Sequence, residues 1–325
     1  MTATAERAPS PITKRAVAFV AGHKPDAEDL GRRLAEFVDD PDQFAAVLSQ
    51  GFADLADPEY HDGSHMVVPT LGRSHGVRWP LIQAVSRGFR EATKRDRTST
   101  WLFLADRLFR EPEIEARWFA FALLDRLLAD EPERTWQLLR RAAREADDWA
   151  TVDALAHPVG RGILNEPYRW AELEQLVFSP RRWERRLVGS TVATIPHVDR
   201  RRGRTSEVVE HGLELIRDLI GDAEPDVQKA LSWALRSLAM IDRATTTAFL
   251  EGEADAAAAT GDGHRAWVVR DALTKLDPDD AARIRARLDG IRRRPGAPST
   301  SRAAETADRF GRGLLGGPVE EPPLT

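Results

Sequence analysis

The chain has 325 residues, 42% of them hydrophobic, and a net charge of −5 at pH 7. It contains no cysteine, which excludes disulfides, thiolate zinc sites and a cysteine nucleophile. No stretch approaches the roughly 18 consecutive apolar residues of a membrane span, and the first 25 residues lack the apolar core of a signal peptide. We therefore expect a soluble, cytoplasmic protein without a membrane partner.

The two ends of the chain differ in composition from the middle. Residues 1–12 and 293–325 are rich in proline, glycine, serine, threonine and alanine and show no apolar periodicity. Such segments bury too little apolar surface to offset the entropy lost on folding. The sequence therefore predicts disordered tails at 1–12 and 293–325 around one folded domain, 13–292.

Between the tails, apolar residues recur at helical spacing, and no segment shows the sustained alternation of a strand. The candidate helices span residues 26–38, 42–55, 79–95, 98–110, 113–129, 132–146, 149–157, 170–178, 181–195, 206–221, 225–240, 244–258, 263–276 and 279–292. Helix pairs that repeat every ~35–45 residues are typical of HEAT and armadillo arrays. We predict an all-α fold, a right-handed superhelical solenoid of degenerate HEAT-like helix pairs of the ARM type. An irregular helical bundle is the alternative, and residues 58–78 are expected to form a long surface loop.

The helix predicted to begin at Trp149 carries an aromatic and an acidic side chain on one face. Asp148 is placed to cap this helix. Trp149 and Asp153 are four residues apart, so that the indole and the carboxylate project side by side. Capping explains Asp148, whereas Asp153 lies a full turn inside the helix and is not a cap. The pair is a candidate for chemistry, and an ordinary surface pair is the alternative.

The next candidate, residues 181–195, combines an indole with several arginines. Its buried line runs through Val188, and Arg186 lies about 160° from that residue, on the outer side together with Trp183. Arg182 and Arg185 flank them. This arrangement suits a surface that follows DNA phosphates, and a solvated basic face is the alternative.

A run of positive charge surrounds this helix. Residues 178–205 contain eight arginines and only two acidic side chains, a local net charge of +6 in a chain that is acidic overall. Arginine is the cation best shaped to bind phosphate oxygens. Any binding of nucleic acid therefore depends on this local patch and not on the net charge of the protein.

The helix predicted at 225–240 repeats the pattern. Trp233 lies about 200° from the apolar Leu231, and its neighbours on the helix surface are Lys229 and Arg236. Packing within its own helix layer explains this indole poorly, although packing under an adjacent repeat remains an alternative.

Three motifs follow one another in the order found in a known family. They read Trp149-Ala-Thr-Val-Asp153, then Ser179-Pro-Arg-Arg-Trp183-Glu-Arg-Arg186, then Gln228-Lys-Ala-Leu-Ser-Trp233-Ala-Leu-Arg236. Together they resemble the AlkD-type DNA alkylation repair glycosylases, a family of HEAT-like-repeat alkylpurine DNA glycosylases. The clear similarity covers about residues 145–240. The longer N-terminus and an additional arginine-rich turn at 200–204 depart from the family pattern.

The resemblance implies a role for each motif residue. Asp153 corresponds to the catalytic carboxylate, Trp149 and Trp233 to the paired tryptophans of the cleft, and Arg186 to the arginine that grips DNA. The neighbouring cations Arg182, Arg185, Lys229 and Arg236 are expected to contact DNA as well.

The implied reaction is hydrolysis of the N-glycosidic bond of cationic 3-methyladenine and 7-methylguanine in double-stranded DNA. It is expected to proceed without drawing the base into a tight pocket, in contrast to most glycosylases. We expect a monomer that needs no metal and no cofactor.

Other interpretations are weaker. The segment His61-Asp-Gly-Ser-His65 offers metal ligands but no third distant ligand, so that a metal site there is not favoured. Phosphate-binding glycine loops and the G-x-S-x-G motif are absent. A catalytically silent HEAT-repeat scaffold or DNA-binding protein, and a related glycosylase with another lesion range, remain alternatives.

Overall fold

The computed structural model describes residues 10–67, 72–94 and 98–310. Its α-helices are, in chain order, α1 (Pro11–Leu34), α2 (Pro41–Asp54), α3 (Pro58–Val67), α4 (Trp79–Ala92), α5 (Trp101–Leu108), α6 (Ile114–Leu127), α7 (Pro132–Glu145), α8 (Trp149–Asn165), α9 (Trp170–Gln175), α10 (Arg182–Val198), α11 (Ser206–Leu219), α12 (Pro225–Ala239), α13 (Arg243–Thr260), α14 (Gly263–Ala272), α15 (Pro278–Arg287) and α16 (Arg302–Phe310). Within the described residues the only β-type pairing is an isolated bridge between Arg73 and Glu113. The predicted all-α class is confirmed.

The helices belong to two compact units, Met1–Thr135 and Trp136–Thr325, which divide within α7. In the described part of the chain, no helix is both long and apolar enough to cross a membrane.

In the first unit, α1 packs closely along α4. The contact depends on glycine, because a Cβ on Gly31 would lie 2.1 Å from the carbonyl oxygen of Val85, and one on Gly88 equally close to that of Glu28. Beside this pair, aromatic side chains from α2, α4, α5 and α6 fill the core: Phe44, Phe52, Phe89, Trp101 and Phe119.

The first unit corrects two sequence predictions. Helix α1 begins at Pro11 and not near residue 26, and it continues through Pro25 without a break. Residues 58–67 form α3 instead of a loop. Residues 72–78 are irregular and are held in place by the buried Glu115 carboxylate, which accepts hydrogen bonds from the backbone N–H groups of Gly76 (2.9 Å) and Val77 (3.2 Å).

In the second unit, alternate helices form two rows. One row consists of α8, α10, α12 and α14, each packed against the next, and the other contains α11, α13 and α15. Contacts between corresponding ends show that the helices of the first row run parallel: Arg186 of α10 bonds Asp153 of α8, and Arg236 of α12 bonds Asp271 of α14. Within this unit, the predicted arrangement of stacked helix pairs is confirmed.

The second unit also corrects the predicted C-terminal tail. The backbone N–H of Thr300 donates to the carbonyl oxygen of Gly221 (2.9 Å), the Ser299 hydroxyl accepts from the N–H of Ala223 (2.9 Å), and α16 packs on α11. Composition predicts disorder here because the segment is short of apolar residues, but polar and backbone hydrogen bonds fix its path. The remaining tail predictions, residues 1–9 and 311–325, lie outside the described residues.

Candidate functional site

The site begins at the N-terminus of α8. The buried Asp148 carboxylate accepts hydrogen bonds from the backbone N–H (2.8 Å) and the hydroxyl (2.6 Å) of Thr151, which confirms the predicted cap. This cap fixes the first turn of the helix. Trp149 is the first residue of α8, and Asp153 follows one turn later; both are half-buried. An indole and a carboxylate therefore share one face of α8 at the edge of the core.

Asp153 is held from the neighbouring helix α10. The Arg186 guanidinium donates from Nε to Oδ1 (3.2 Å) and from Nη2 to Oδ2 (2.9 Å), and the Ser190 hydroxyl donates to Oδ1 (2.6 Å). Ser190 is fully buried, whereas the Asp153 side chain keeps 22% of its surface exposed. The carboxylate is thus fixed on its protein side and open on the other.

The two oxygens of Asp153 differ in what they can still accept. Each carboxylate oxygen offers about two acceptor positions. Those of Oδ1 are taken by Arg186 and Ser190, whereas Oδ2 accepts only from Arg186. Among the described residues, Oδ2 is therefore the oxygen with an acceptor position left for a water molecule or a substrate group.

Arg186 is buried between three helices, and this corrects its expected place on an outer face. Every residue of α10 from Arg186 to Pro196 is buried, because α8 and α12 flank the helix on both sides. Arg186 Nη1 donates to the carbonyl oxygen of Asp226 on α12 (2.6 Å), and its guanidinium lies 5.9 Å from the centroid of the Trp149 ring. That Arg186 also grips a DNA phosphate stays a prediction.

A glycine allows this close approach. A Cβ on Gly189 would lie 2.8 Å from the backbone carbonyl carbon of Ala230, closer than packed atoms approach. Because Gly189 has no side chain, α10 and α12 come near enough for Arg186 to reach the backbone of Asp226.

Trp233 lies on α12 and is half-buried. It follows Asp226 by two turns, about 10 Å along the helix axis. The helix therefore carries the backbone anchor of Arg186 near its start and the predicted cleft tryptophan near its middle. The apolar stripe expected on this helix, including Leu231, is buried as predicted.

The other predicted DNA contacts differ in their surroundings. Arg185 pairs with the buried Asp222 (Nε to Oδ2, 2.7 Å), and Arg236 forms a salt bridge with Asp271. Lys229 is exposed and forms no salt bridge among the described residues. The three stay predictions, but only Lys229 carries a charge without an acidic partner.

Arg182 has a looser environment. Its side chain stacks on the Trp183 ring at 4.8 Å and lies 3.7 Å from a Glu224 oxygen. Its contact with DNA also stays a prediction.

The run of positive charge in residues 178–205 is one patch in sequence but two in space. Helix α10 separates Arg181, Arg182, Arg185 and Arg186 from the arginines at 200–204, and its 17 residues span about 25 Å. Sequence reasoning treated the run as a single surface because it counted charge without the helix between the two parts.

Ser190 is the site residue that sequence reasoning missed. It follows Arg186 by four residues, so the two side chains lie on one helix face. That spacing was the available signal. In the described ranges, no group of three or more histidine or acidic side chains gathers as a metal site requires.

The comparisons with known proteins agree with the motif order. No curated protein sequence matches the chain. A family model described as DNA alkylation repair enzyme matches residues 48–276, more than half of the chain and the whole of the site. The resemblance drawn from the three motifs is thereby confirmed, and with it a role in DNA repair and DNA as a partner. The chain belongs to the DNA alkylation repair enzyme family.

Proposed function

We propose that this chain is a DNA glycosylase that hydrolyses the N-glycosidic bond of cationic alkylated purines, such as 3-methyladenine and 7-methylguanine, in duplex DNA. The observation that carries the proposal is the half-open Asp153 carboxylate, fixed through Oδ1 and with a free acceptor position on Oδ2. It lies beside an indole, in a chain of a DNA alkylation repair family.

The chemistry needs little more than such a carboxylate. Alkylation at N3 or N7 makes the purine cationic and a good leaving group, so that strong acid catalysis is unnecessary. As the bond between C1′ and the base breaks, its electron pair leaves with the purine and positive charge develops on the sugar. A fixed negative charge beside that sugar stabilises the transition state.

Asp153 also accounts for the attacking water. With Oδ1 occupied, Oδ2 is the oxygen that accepts a hydrogen bond from the water and takes up its proton as the C1′–O bond forms. Arg186 and Ser190 preorganise the carboxylate through their hydrogen bonds from the neighbouring helix.

The indole of Trp149 supplies the second part of the site. Its electron-rich face attracts a cationic sugar by about 0.5–2 kcal/mol. Trp233 is proposed as the second wall of the same cleft. Because the cationic base leaves readily, we propose that the reaction requires no tight pocket for the base.

The decisive experiment measures release of base from a duplex that carries a single 7-methylguanine. Wild-type protein should produce free 7-methylguanine and an abasic site. Asp153→Asn should lower the single-turnover rate by about 10² to 10³, the usual cost of losing one preorganised interaction with developing charge. Affinity for the duplex should hold or rise slightly, because the variant no longer presents a carboxylate to the phosphates.

Asp147→Asn is the matched control. Asp147 is exposed just before α8, so that the variant removes the same charge two residues from Trp149 without touching the site. Full activity in a well-folded Asp153→Asn protein would refute the mechanism. A wild-type protein that binds duplex DNA but releases no base would favour the catalytically silent alternative, in which the Arg186–Asp153 pair is only structural.

A further inference from the structure

The arginines nearest to the site are largely neutralised by the protein itself. Arg185, Arg186 and Arg236 each form a salt bridge with an aspartate. Binding to duplex DNA depends on cations that are able to replace the counterions of the phosphates. Exposed cations without an acidic partner are therefore the groups best suited to additional contacts.

The turn between α10 and α11, residues 199–204, offers such cations; we call it the arginine turn. The Asp199 carboxylate accepts hydrogen bonds from the backbone N–H groups of Arg201 (2.9 Å) and Arg202 (3.0 Å). These bonds, the Arg202 N–H foremost, together with the Arg202 guanidinium, lower the pKa of Asp199 to about 2. The carboxylate is therefore ionised at neutral pH and holds the turn closed.

Gly203 locks the turn against the end of α10. Its N–H donates to the Asp199 carbonyl oxygen (2.7 Å), and a Cβ at this position would lie 2.2 Å from the carbonyl oxygen of Ile195. Only glycine fits there without moving the backbone. The arginine turn is thus a fixed part of the fold.

The arginines of the turn divide into two kinds. Arg202 donates to the carbonyl oxygen of Leu164 (3.1 Å), and Arg204 to that of Pro196 (3.1 Å), so that both satisfy helix ends. Arg200 and Arg201 are exposed and form no salt bridge among the described residues. Bonds to helix-end carbonyl groups account for Arg202 and Arg204 but not for Arg200 and Arg201.

We propose that Arg200 and Arg201 contact a second set of DNA backbone phosphates, separate from those beside the lesion. Arg200 follows Arg186 by fourteen residues, so that the turn lies about 20 Å along α10 from the site. That distance corresponds to about six nucleotides along one strand. The inference deepens the proposed function and rests on it.

Phosphate ethylation interference on a long duplex with one 7-methylguanine tests this directly. For wild-type protein, ethylation should weaken binding at phosphates flanking the lesion and at a second, separate cluster. Arg200→Ala/Arg201→Ala should lose the second cluster and keep the first. The slope of log affinity against log salt should fall by up to about 1.8, since each phosphate contact contributes about 0.9.

Arg283→Ala/Arg287→Ala is the charge-matched control. It removes the same two charges from α15, where both arginines form salt bridges within the protein. This variant should keep both interference clusters and the wild-type salt slope. Single-turnover excision at saturating protein should also be unchanged in this control, because it touches neither the Asp153 site nor the arginine turn.

Two results would overturn the inference: an unchanged interference pattern and salt slope in the Arg200/Arg201 variant, or an equal loss in the control. Its failure is distinguishable from failure of the proposed function. If the wild type excises the base but the Arg200/Arg201 variant keeps the wild-type interference pattern, only the second phosphate contact is refuted. If the wild type excises no base, the proposed activity is refuted.

Discussion

Ser190 donates its hydroxyl proton to Oδ1 of Asp153 at 2.6 Å, from one parallel helix to the next. The serine is fully buried, so its hydroxyl is not accessible to bulk solvent as an alternative partner. The bond occupies the acceptor position on Oδ1 that Arg186 leaves open, which gives the two oxygens of Asp153 different roles.

Ser190→Ala should therefore slow excision without weakening DNA binding. The loss of one hydrogen bond to a charged group costs about 1.5–3 kcal/mol, and we expect the single-turnover rate to fall about tenfold, since only part of that cost reaches the transition state. Thr191→Val is the control: the next residue on α10 is equally buried, and its hydroxyl has no hydrogen-bond partner. A rate that falls equally in both variants would identify a general packing effect.

Arg186→Ala should act chiefly through Asp153. Removal of one partner from a buried ion pair typically costs about 3–5 kcal/mol of folding free energy. We expect a lower melting temperature and loss of excision, and the salt slope of DNA binding tests whether Arg186 also grips a phosphate, as the motif resemblance implies. Lys229→Ala should reduce that slope by about 0.9 and leave excision at saturating protein intact. If Arg186→Ala reduces the slope as much as Lys229→Ala, Arg186 is also a phosphate anchor.

The two cleft tryptophans should each contribute modestly. Trp149→Ala and Trp233→Ala each remove one aromatic face, and a loss of about 1.4 kcal/mol corresponds to a tenfold slower excision. Trp183→Ala is the comparison, because this indole packs under the Arg182 guanidinium one turn before Arg186. Rates are to be measured under single-turnover conditions beside melting curves. An unchanged rate in Trp233→Ala would remove this residue from the proposed cleft.

The lowered pKa of Asp57 predicts how the stability of the first unit changes with pH. Burial raises the pKa of its carboxyl, but hydrogen bonds from Arg15 (2.9 Å) and Arg78 (2.7 Å) outweigh burial and lower the pKa to about 2, from an ordinary value of 3.8. A lowered pKa stabilises the fold above pH 3.8, and the contribution is lost as the pH falls towards 2.

Asp57→Asn should accordingly lower the free energy of unfolding near neutral pH. Its stability should then decline less than that of the wild type between pH 4 and 2. Urea unfolding at stepped pH measures both, with Asp39→Asn, an exposed aspartate, as the control. A wild-type and an Asp57→Asn protein that lose stability in parallel on acidification would contradict the assignment.

The helical class and the local geometry of the site follow from the amino-acid sequence alone. Apolar spacing predicts α12 to within a residue, because its stripe is long and has a proline at the start. The Asp148 cap and the four-residue spacing of Trp149 and Asp153 are also local, so they follow from helix geometry alone. The order of the three motifs indicated the family, and the match to the family model confirms it.

Which side chains come into contact across helices could not be predicted from the sequence. Arg186 and Asp153 are 33 residues apart in the chain, and periodicity on a single helix placed Arg186 outside because it could not register that α8 and α12 cover both sides of α10. The order of residues 293–310 likewise depends on bonds to the distant turn at 221–223. Hydrophobic periodicity predicts which face of a single helix is buried, but it contains no information about the neighbouring helices. These contacts depend on neighbours that come together only on folding.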